Sequence, residues 1–408
     1  MKLVVVTPHF APDVAPTGNV VTRIVQELAR LGHRVEVITS LPWYREHAVE
    51  PQFEGRLVRY EDMPWGRIVR LHPFPAPDKR ALVRRAAAFA GFSLMGAAIA
   101  ARGPKVDGVL AVSPPLTLGV TGWAIARRRG AKLVFNIQDV YPDVAVELGV
   151  LSEGTLLRAV RRLERFCYDR ADAVTVLSEE LQDNVRAKTA EPSKVRVIPN
   201  FVDAAWIAPA PLENDYRRHF GLTGKTVVMY AGNVGLSQSL ETVLEAAGAL
   251  GHERDLVFVI NGQGAARADL ERKARGLANV RFVNMQPLER LPEVLAAADI
   301  HLVPLKKGLA HSSVPSKTYS ILAAGRPLIA SVDRGTEIAR LVERSGAGVA
   351  VPPEDAEALT KAIRQMLDSP EDRRAMGDAG RSFIEGWASP EAVAAAYAAL
   401  FEQLAGGR

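Results

Sequence analysis

The sequence predicts an α/β protein in which two doubly wound domains follow one another. Three observations predict it: apolar strands alternate with helices, the alternation occurs twice, and an irregular stretch separates the two runs. The length of 408 residues supports more than one domain, since a domain holds about 150 residues. Continuous apolar strands indicate parallel sheets covered on both faces. Ligands bind outside the carboxyl ends of such strands, so we expect the two domains to face a central cleft.

The first domain is predicted over residues 1–200. It opens with a β-branched run, a loop that contains Gly18, and a helix that Gly32 ends. Its predicted elements are a strand at 3–7, the loop at 8–18, the helix at 19–31, and strands at 34–39, 108–113, 132–137, 173–177 and 195–198.

The second domain is predicted over residues 225–385. Residues 201–224 are rich in Pro, Asp and Asn without a sustained period, which predicts a linker. Residues 386–408 are predicted to hold a last amphipathic helix, at 390–404, that crosses back to the first domain. The predicted elements of the second domain are strands at 226–231, 256–260, 280–283, 300–303, 327–330 and 348–351, a loop at 232–238 and a helix at 239–250.

The positive charge is concentrated in the N-terminal third. Residues 1–130 hold 18 Lys and Arg against 10 Asp and Glu, a net +8, so the remainder of the chain, whose total is +5, carries −3. Lys79, Arg80, Arg84 and Arg85 precede a sixteen-residue uncharged stretch at 86–101. That stretch is shorter than the roughly 20 apolar residues of a spanning helix.

Two interpretations of this segment stay open. One is a membrane-surface helix: Arg80, Arg84 and Arg85 meet anionic headgroups while Phe89 and Phe92 enter the interface, together with the neighbouring Leu94 and Met95. The other is a buried helix with a solvated basic end. A short apolar run does not separate the two.

The single cysteine, Cys167, permits no internal disulfide, which is typical of a reducing compartment. Met1 and Lys2 lead directly into an apolar strand, without the pattern of a secretory signal. We therefore expect a cytoplasmic protein, peripheral at the inner face of the plasma membrane if the basic segment contacts lipid.

Two loops of the second domain are suited to bind anions. In the first, Gly232, Asn233 and Gln238 stand between a strand and a helix, where free backbone N–H groups attract phosphate. In the second, Ser313, Ser316 and Lys317 lead into a helix at 318–324. Two such helix starts in one domain suggest a diphosphate ligand.

Other binding motifs are missing from the sequence. Arg267 replaces the third glycine of a dinucleotide fingerprint after Gly262 and Gly264, and no phosphate-loop lysine motif occurs. The eight histidines are scattered and no two aspartates flank a single residue, so no metal site is predicted. The polar residues expected at strand ends near a reacting centre are His9, Gln138, Asp139, Asp143 and His311. Asp139 and Asp143 are explained equally well as turn or cap residues.

Eight short segments carry a family likeness through their order and spacing, at residues 12–18, 31–35, 174–178, 197–203, 230–233, 262–264, 296–300 and 323–327. In these segments the chain resembles the retaining, sugar-nucleotide-dependent glycosyltransferases of family 4, whose GT-B fold consists of two Rossmann-like domains, and the likeness covers essentially the whole length. Residues 138–143, 232–238 and 313–317 are similar to bacterial surface-polysaccharide transferases of the colanic-acid and N-acetyl-L-fucosamine type.

Three departures from that family matter. Its two glutamates ahead of the Ala-Ala-Gly segment correspond here to Ser312 and Ser320. Its basic residues of the glycine loop correspond to Asn233 and Gln238, and its catalytic-cleft histidine to Gln138. The family roles of those residues therefore do not transfer directly.

The resemblance implies a nucleoside-diphosphate sugar donor on the second domain, with UDP favoured and no other cofactor, and a glycan or lipid-linked acceptor on the first. Catalytic roles are expected for Gln138, Asp139 and His311 from their places at strand ends, while the resemblance implies a base contact near Met285 and a Gly18 that lets the first domain approach the donor. The donor-binding residues it implies are Gly18, Gly232, Asn233, Gln238, Gly262, Met285, Ser313, Ser316, Lys317 and Ser320.

Two other functions remain as alternatives. A sugar-nucleotide 2-epimerase shares this architecture but needs carboxylates placed for proton abstraction, and no pair is evident. A non-catalytic nucleotide-sugar binding protein is suggested by the missing glutamates. Nucleic-acid binding is not expected, because aromatic residues make up only 6% of the chain and do not alternate with basic residues.

Overall fold

The computed structural model describes residues 1–44, 48–74, 82–309, 317–386 and 389–406, with the backbone alone for 82–87. The chain divides into two compact units. The first comprises Met1–Asn200 with Pro390–Arg408, and the second comprises Phe201–Ser389. Each unit contains a mainly parallel sheet with helices, which confirms the predicted α/β class.

The first unit is built on an eight-stranded sheet of order β3-β4-β2-β1-β5-β6-β7-β8. Its strands are β1 (Lys2–Val6), β2 (Arg34–Ser40), β3 (Val58–Met63), β4 (Gly66–Leu71), β5 (Gly108–Ser113), β6 (Lys132–Ile137), β7 (Ala173–Val176) and β8 (Val195–Val197). Its helices before the second unit are α1 (Pro16–Arg30), α2 (Leu82–Ala100), α3 (Thr117–Arg129), α4 (Asp143–Glu147), α5 (Thr155–Arg170) and α6 (Glu179–Arg186).

The second unit is built on a six-stranded parallel sheet of order β11-β10-β9-β12-β13-β14. Its strands are β9 (Thr226–Ala231), β10 (Leu256–Asn261), β11 (Val280–Val283), β12 (Ile300–Pro304), β13 (Leu328–Ser331) and β14 (Gly348–Val351). Its helices are α7 (Asp215–His219), α8 (Leu240–Ala249), α9 (Arg267–Lys273), α10 (Leu291–Ala296), α11 (Lys317–Ala323), α12 (Glu337–Ser345), α13 (Ala356–Asp368) and α14 (Pro370–Glu385), and the chain then forms α15 (Pro390–Gly406).

A hairpin at the edge of the first sheet is absent from the sequence-based assignment. β3 and β4 pair antiparallel, with Val58 opposite Leu71 and Met63 opposite Gly66. β3 mixes charged and apolar residues and lies mostly exposed, so it lacks the buried run that marks the central strands.

The segment predicted as a linker, 201–224, is folded onto the second unit. It contains α7, in which the buried Arg217 forms an ion pair with Asp299 at 2.5 Å. Arg381 of α14 donates hydrogen bonds to the carbonyl oxygens of Ala204 and Ile207, each at 3.0 Å.

Helix α15 packs on the first unit. It lies against α1, and its buried Phe401 occupies the space in which a side chain at Gly108 would stand. The Tyr397 hydroxyl lies 3.0 Å from the Asn136 amide nitrogen and accepts its hydrogen bond. The first unit therefore consists of two separate stretches of sequence.

Helix α2 includes most of the apolar stretch proposed to touch membrane. Phe92 is 3% exposed and packs inside the unit, so its predicted entry into a membrane interface is wrong. Phe89 is half-buried, whereas Leu94 is 72% exposed. Arg80 lies outside the described residues, and Arg84 and Arg85 are described only by their helical backbone. No helix in the described ranges combines the length and apolarity that a bilayer crossing requires.

Candidate functional site

In the second unit the strand order reverses between β9 and β12. A doubly wound sheet binds ligands at such a point, outside the carboxyl ends of the strands. β9 ends at Ala231 and continues into residues 232–238, the glycine loop, while the segment after β12 leads to Lys317 at the start of α11. Both anion-binding loops predicted from the sequence thus follow the two strands at the reversal.

The glycine loop packs closely on residues 262–264, which follow β10. The Gly232 N–H donates to the Asn261 carbonyl at 2.9 Å, and the Val234 N–H donates to the Gln263 carbonyl at 2.8 Å. A Cβ atom at Gly262 would stand 1.8 Å from the Gly232 carbonyl oxygen. Only glycine allows the two backbones to approach this closely.

Lys317 extends toward the glycine loop. Its Nζ donates to the Tyr230 hydroxyl at 2.7 Å and lies 3.8 Å from the centre of that ring. A Cβ at Gly232 would stand 3.3 Å from the same nitrogen. Within the described residues no carboxylate pairs with Lys317, and burial lowers the pKa of its amine to about 7. An anion bound here would supply the missing negative charge.

The remaining polar atoms of the glycine loop are partly used to hold its shape. The Gln238 side chain accepts from the Gly235 N–H at 3.0 Å and donates to the Ser237 hydroxyl at 2.7 Å. Asn233 packs on the other side of Gly235. The backbone N–H of Lys306 donates to the Ser237 carbonyl at 2.9 Å, which joins the segment after β12 to this loop.

The other predicted donor-side residues are distributed around the same sheet edge. Met285 is half-buried in the loop that follows β11, and Ser320 lies on α11 in the turn after Lys317. His311, Ser313 and Ser316 lie outside the described residues.

Arg267, the residue that replaces the third glycine of the dinucleotide fingerprint, forms hydrogen bonds with two of the segments at this sheet edge. Its guanidinium donates to the Val283 carbonyl at 3.0 Å and also to the Gly262 carbonyl. It lies 5.7 Å from the centre of the Phe282 ring. Arg267 therefore links the residues that follow β10 to the end of β11.

In the first unit the strand order reverses between β1 and β5, and a histidine–aspartate pair follows β1. His9 Nδ1 lies 2.7 Å from a carboxylate oxygen of Asp13, whose other oxygen accepts from the Tyr44 N–H at 3.1 Å. The His9 ring stacks on Trp43 with centroids 5.5 Å apart. A Cβ at Gly18 would stand 2.9 Å from the His9 Cβ. The lack of a side chain at Gly18 therefore makes room for His9.

The sequence analysis named His9 but missed Asp13. The signal available was the four-residue spacing of a histidine and an aspartate directly after the first strand. Asp13 is 2% exposed, and a buried carboxylate of this kind fixes the orientation of a histidine ring.

Gln138 lies at the end of β6 within a buried chain of hydrogen bonds. Its Nε2 donates to the Asn136 amide oxygen at 2.6 Å, and its Oε1 accepts from the Asn200 amide at 2.9 Å. Asn136 in turn donates to Thr175 and Tyr397. Gln138, which was predicted to be catalytic, is therefore part of a hydrogen-bond chain that joins β6 to Asn200 and, through Asn136, to β7 and α15.

The two aspartates after β6 have different surroundings. Asp139 is half-buried at the strand end. Asp143 starts α4 and accepts from Lys188 Nζ at 2.6 Å, while Lys188 also pairs with the buried Glu164 at 2.9 Å. Burial raises the pKa of the Glu164 carboxyl. Asp143 thus forms an ion pair with a neighbouring helix, and the predicted turn or cap contact is not among its hydrogen bonds in the described residues.

Metal-binding side chains do not cluster in the part of the chain that the structure covers. No three His, Cys, Asp or Glu residues there lie close enough to hold an ion.

Solved structures with the same fold are glycosyltransferases of the GT-B class. Sucrose-phosphate synthase from Thermosynechococcus elongatus superposes with a TM-score of 0.79 at 21% identity and covers 100% of both chains. HepE of Anabaena, solved in complex with UDP-glucose, has a TM-score of 0.71 at 13% identity and covers 99% of this chain and 100% of its own. At these identities the likeness establishes the fold.

Two relatives are similar over most of the sequence. WcaI of Escherichia coli (strain K12), named as a colanic acid biosynthesis glycosyl transferase, is 31% identical over 379 residues, which cover 90% of this chain and 92% of WcaI. The glycosyltransferase WbjE of Pseudomonas aeruginosa is 30% identical over 318 residues, which cover 76% and 78%.

Family models match both halves of the chain. Residues 17–200 match the glycosyl transferase 4-like domain, and residues 225–369 match the glycosyl transferases group 1 domain. Together with the 31% identity to WcaI, these matches confirm the resemblance drawn from the motifs. The chain belongs to the glycosyltransferase family that combines these two domains.

Proposed function

We propose that this glycosyltransferase moves a hexosyl or N-acetylhexosaminyl group, with retention, from a UDP-sugar to a lipid-linked glycan acceptor in cell-surface polysaccharide synthesis. The observation that carries the proposal is Lys317 at the β9/β12 reversal, held on Tyr230 beside Gly232 without a carboxylate partner among the described residues. A desolvated amine beside a strand-to-helix loop at the carboxyl end of the sheet suits a diphosphate. The UDP-glucose complex of HepE, which has the same fold, supports the choice of nucleotide.

The chemistry needs stabilisation of the departing diphosphate. The bond from the sugar anomeric carbon to the diphosphate oxygen breaks, and that oxygen leaves with the electron pair. The acceptor oxygen bonds to the anomeric carbon on the same face and gives its proton to the departing diphosphate. Lys317 faces the charge that develops, so its attraction is stronger in the transition state than in the ground state. We base retention on the family resemblance.

The acceptor side of the proposal rests on the first unit and on the relatives. His9, fixed by Asp13 and covered by Trp43, offers a ring nitrogen to an acceptor hydroxyl. The name of WcaI refers to colanic acid, which supports a surface polysaccharide as the product class. The comparisons do not favour an epimerase or a binding protein.

A donor screen followed by product analysis tests this function. We expect UDP-sugars to raise the melting temperature more than GDP-, TDP- or ADP-sugars, because ligands that bind only the native state stabilise it. With a lipid-pyrophosphate glycan acceptor, NMR of the product should show the anomeric configuration of the donor. An inverted product, or tight donor binding without transfer or hydrolysis, would contradict the proposal.

The lowered pKa of Lys317 predicts a pH dependence of donor binding. With a pKa of about 7, the Lys317 amine of the free protein loses its proton as the pH rises past that value. The diphosphate of a UDP-sugar keeps its negative charge over the same range. The affinity for the UDP-sugar should therefore fall as the pH rises above about 7. The steepest expected fall is about tenfold for each pH unit. Calorimetry in buffers of different ionisation enthalpy should show proton uptake on binding at about pH 8. The Lys317→Met variant should show neither effect.

A further inference from the structure

Strand β3 forms one outer edge of the sheet in the first unit. Among the outer strands of the two described sheets it is the longest, with six residues against three in β8 and four each in β11 and β14. Its six residues pair with β4 without a bulge, and its sequence contains no Lys or Pro. Sheet edges that stay unpaired are typically short, bulged, or protected by Lys or Pro. β3 therefore has the form of an edge that accepts another strand.

The hydrogen bonds to β4 show which backbone groups of β3 point outward. The His72 N–H donates to the Leu57 carbonyl at 2.9 Å, so the backbone of Leu57 faces β4. Hydrogen-bonded positions alternate along an antiparallel pair, so Val58, Tyr60 and Asp62 direct their N–H and C=O groups away from β4. Within the described ranges no hydrogen bond joins these outward groups to another part of the chain. They form a regular row that a further strand can pair with.

The side chains along this edge follow an order that is complementary to itself. Leu57, Arg59, Glu61 and Met63 lie on one face of the sheet, because residues two apart in a strand share a face. Leu57 is 63% exposed and Met63 36%, while Tyr60, on the opposite face, is 59% exposed. Arg59 and Glu61 form an ion pair at 3.0 Å. Read from either end, the first face has an apolar residue, two opposite charges and an apolar residue.

We propose that β3 pairs antiparallel with β3 of a second copy of this chain, about a two-fold axis at Tyr60. In this register Tyr60 lies opposite the partner's Tyr60, and Arg59 lies opposite the partner's Glu61. Leu57 lies opposite the partner's Met63. The outward backbone groups at positions 58, 60 and 62 meet those at positions 62, 60 and 58, as the hydrogen-bonded pairs of an antiparallel sheet require. The contact is symmetric, so each chain supplies the same surface.

The charges of β3 select this register. Outward positions are two residues apart, so the neighbouring two-fold registers have their axis at residue 59 or at residue 61. Those registers place Arg59 opposite the partner's Arg59, or Glu61 opposite the partner's Glu61. Like charges directly opposite one another destabilise a sheet, whereas the register at Tyr60 forms two pairs of opposite charge. A second copy is therefore favoured over an unrelated strand, because the edge matches itself.

Cysteine cross-linking tests both the pairing and its register. The one cysteine of the chain, Cys167, is buried, so Tyr60→Cys introduces one accessible thiol. Hydrogen-bonded antiparallel residues have Cα atoms about 5.5 Å apart, which a disulfide can span. In the matched control, Asp62→Cys, the two cysteines are offset by four positions, or about 14 Å. We expect covalent dimers of Tyr60→Cys to form under mild oxidation about tenfold or more faster than those of Asp62→Cys.

Sedimentation of the full-length chain without added cysteines provides a second readout. A pairing of one strand edge belongs with the small, weak interfaces, so we expect a monomer–dimer equilibrium at about 10 to 100 μM. Arg59→Glu should weaken dimerisation by about tenfold, because it places like charges opposite one another in both halves of the interface. Arg196→Glu changes an exposed arginine of the edge strand β8 and should leave the equilibrium within about twofold. Melting temperatures measured on the dilute monomers identify any variant that misfolds.

The proposal fails on any of three results. One is a wild-type chain that stays monomeric at about 200 μM. Another is equal cross-linking of Tyr60→Cys and Asp62→Cys, which would indicate random collisions. The third is a dimer that Arg59→Glu does not weaken, since its interface would lie elsewhere. None of these measurements uses a donor or an acceptor, so their outcome is independent of the proposed function.

Discussion

Replacing Lys317 with methionine is expected to weaken binding of a UDP-sugar by about 30-fold, or about 2 kcal/mol, and to lower kcat/KM by about a hundredfold or more. Methionine keeps most of the side-chain volume and removes the charge that faces the glycine loop. Desolvation lowers the pKa of the Lys317 amine, which means that the charged amine destabilises the folded protein. Lys317→Met should therefore raise the free energy of unfolding near neutral pH. Calorimetric titration, steady-state kinetics and thermal unfolding give the three readouts.

A neighbouring lysine provides the control for this variant. Lys307 follows Lys306 after β12 and is exposed, and no side-chain contact ties it to the glycine loop in the described residues. Lys307→Met should change donor affinity and turnover by less than about twofold. A Lys317→Met enzyme with wild-type affinity and turnover would remove the basis for the diphosphate site.

The second large effect is expected from Gly262→Ala. The added Cβ would meet the Gly232 carbonyl oxygen at 1.8 Å and its carbonyl carbon at 2.9 Å, so the backbone of the glycine loop must move. Overpacking of this kind costs about 1–3 kcal/mol or more. Since Gly232 also lies against Lys317, the shift should disturb the anion site. We expect a lower melting temperature together with donor affinity that is weaker by more than about tenfold.

Gly386→Ala tests whether these effects are specific to the close approach. Gly386 belongs to the same unit and stands just after α14 with an ordinary φ of −92°, and its Cβ would find its nearest neighbour at 3.7 Å. This variant should keep wild-type affinity and melting temperature. If Gly262→Ala behaved in the same way, the packing of the two loops would not be required for donor binding.

Much of the central architecture was predictable because buried parallel strands produce uninterrupted apolar runs. β5, β6, β9 and β11 have the predicted bounds, and the glycine loop follows β9 as expected. The glycine loop joins a buried strand to a helix, so its place at the sheet edge follows from topology, and Lys317 begins the helix that follows the neighbouring strand. That is why Lys317 and Gly232 could be selected together.

Other features depended on contacts that no local pattern records. The pairing of His9 with Asp13 is a local signal that was available, but the stacking of Trp43 on His9 joins distant parts of the chain. Gln138 was selected for its place after β6, whereas its partners Asn200 and, through Asn136, Tyr397 come from far along the sequence.

The packing of α15 has a consequence for how the protein is made. The first unit needs Phe401 against Gly108 and Tyr397 against Asn136, yet the ribosome completes the whole second unit before it reaches these residues. Domains generally fold from the N-terminus as they emerge. Here residues 1–200 emerge before α15 exists to cover them, whereas all residues of the second unit are available before α15 is made. Premature release before α15 would leave a second unit whose sequence is complete attached to a first unit that lacks its last helix.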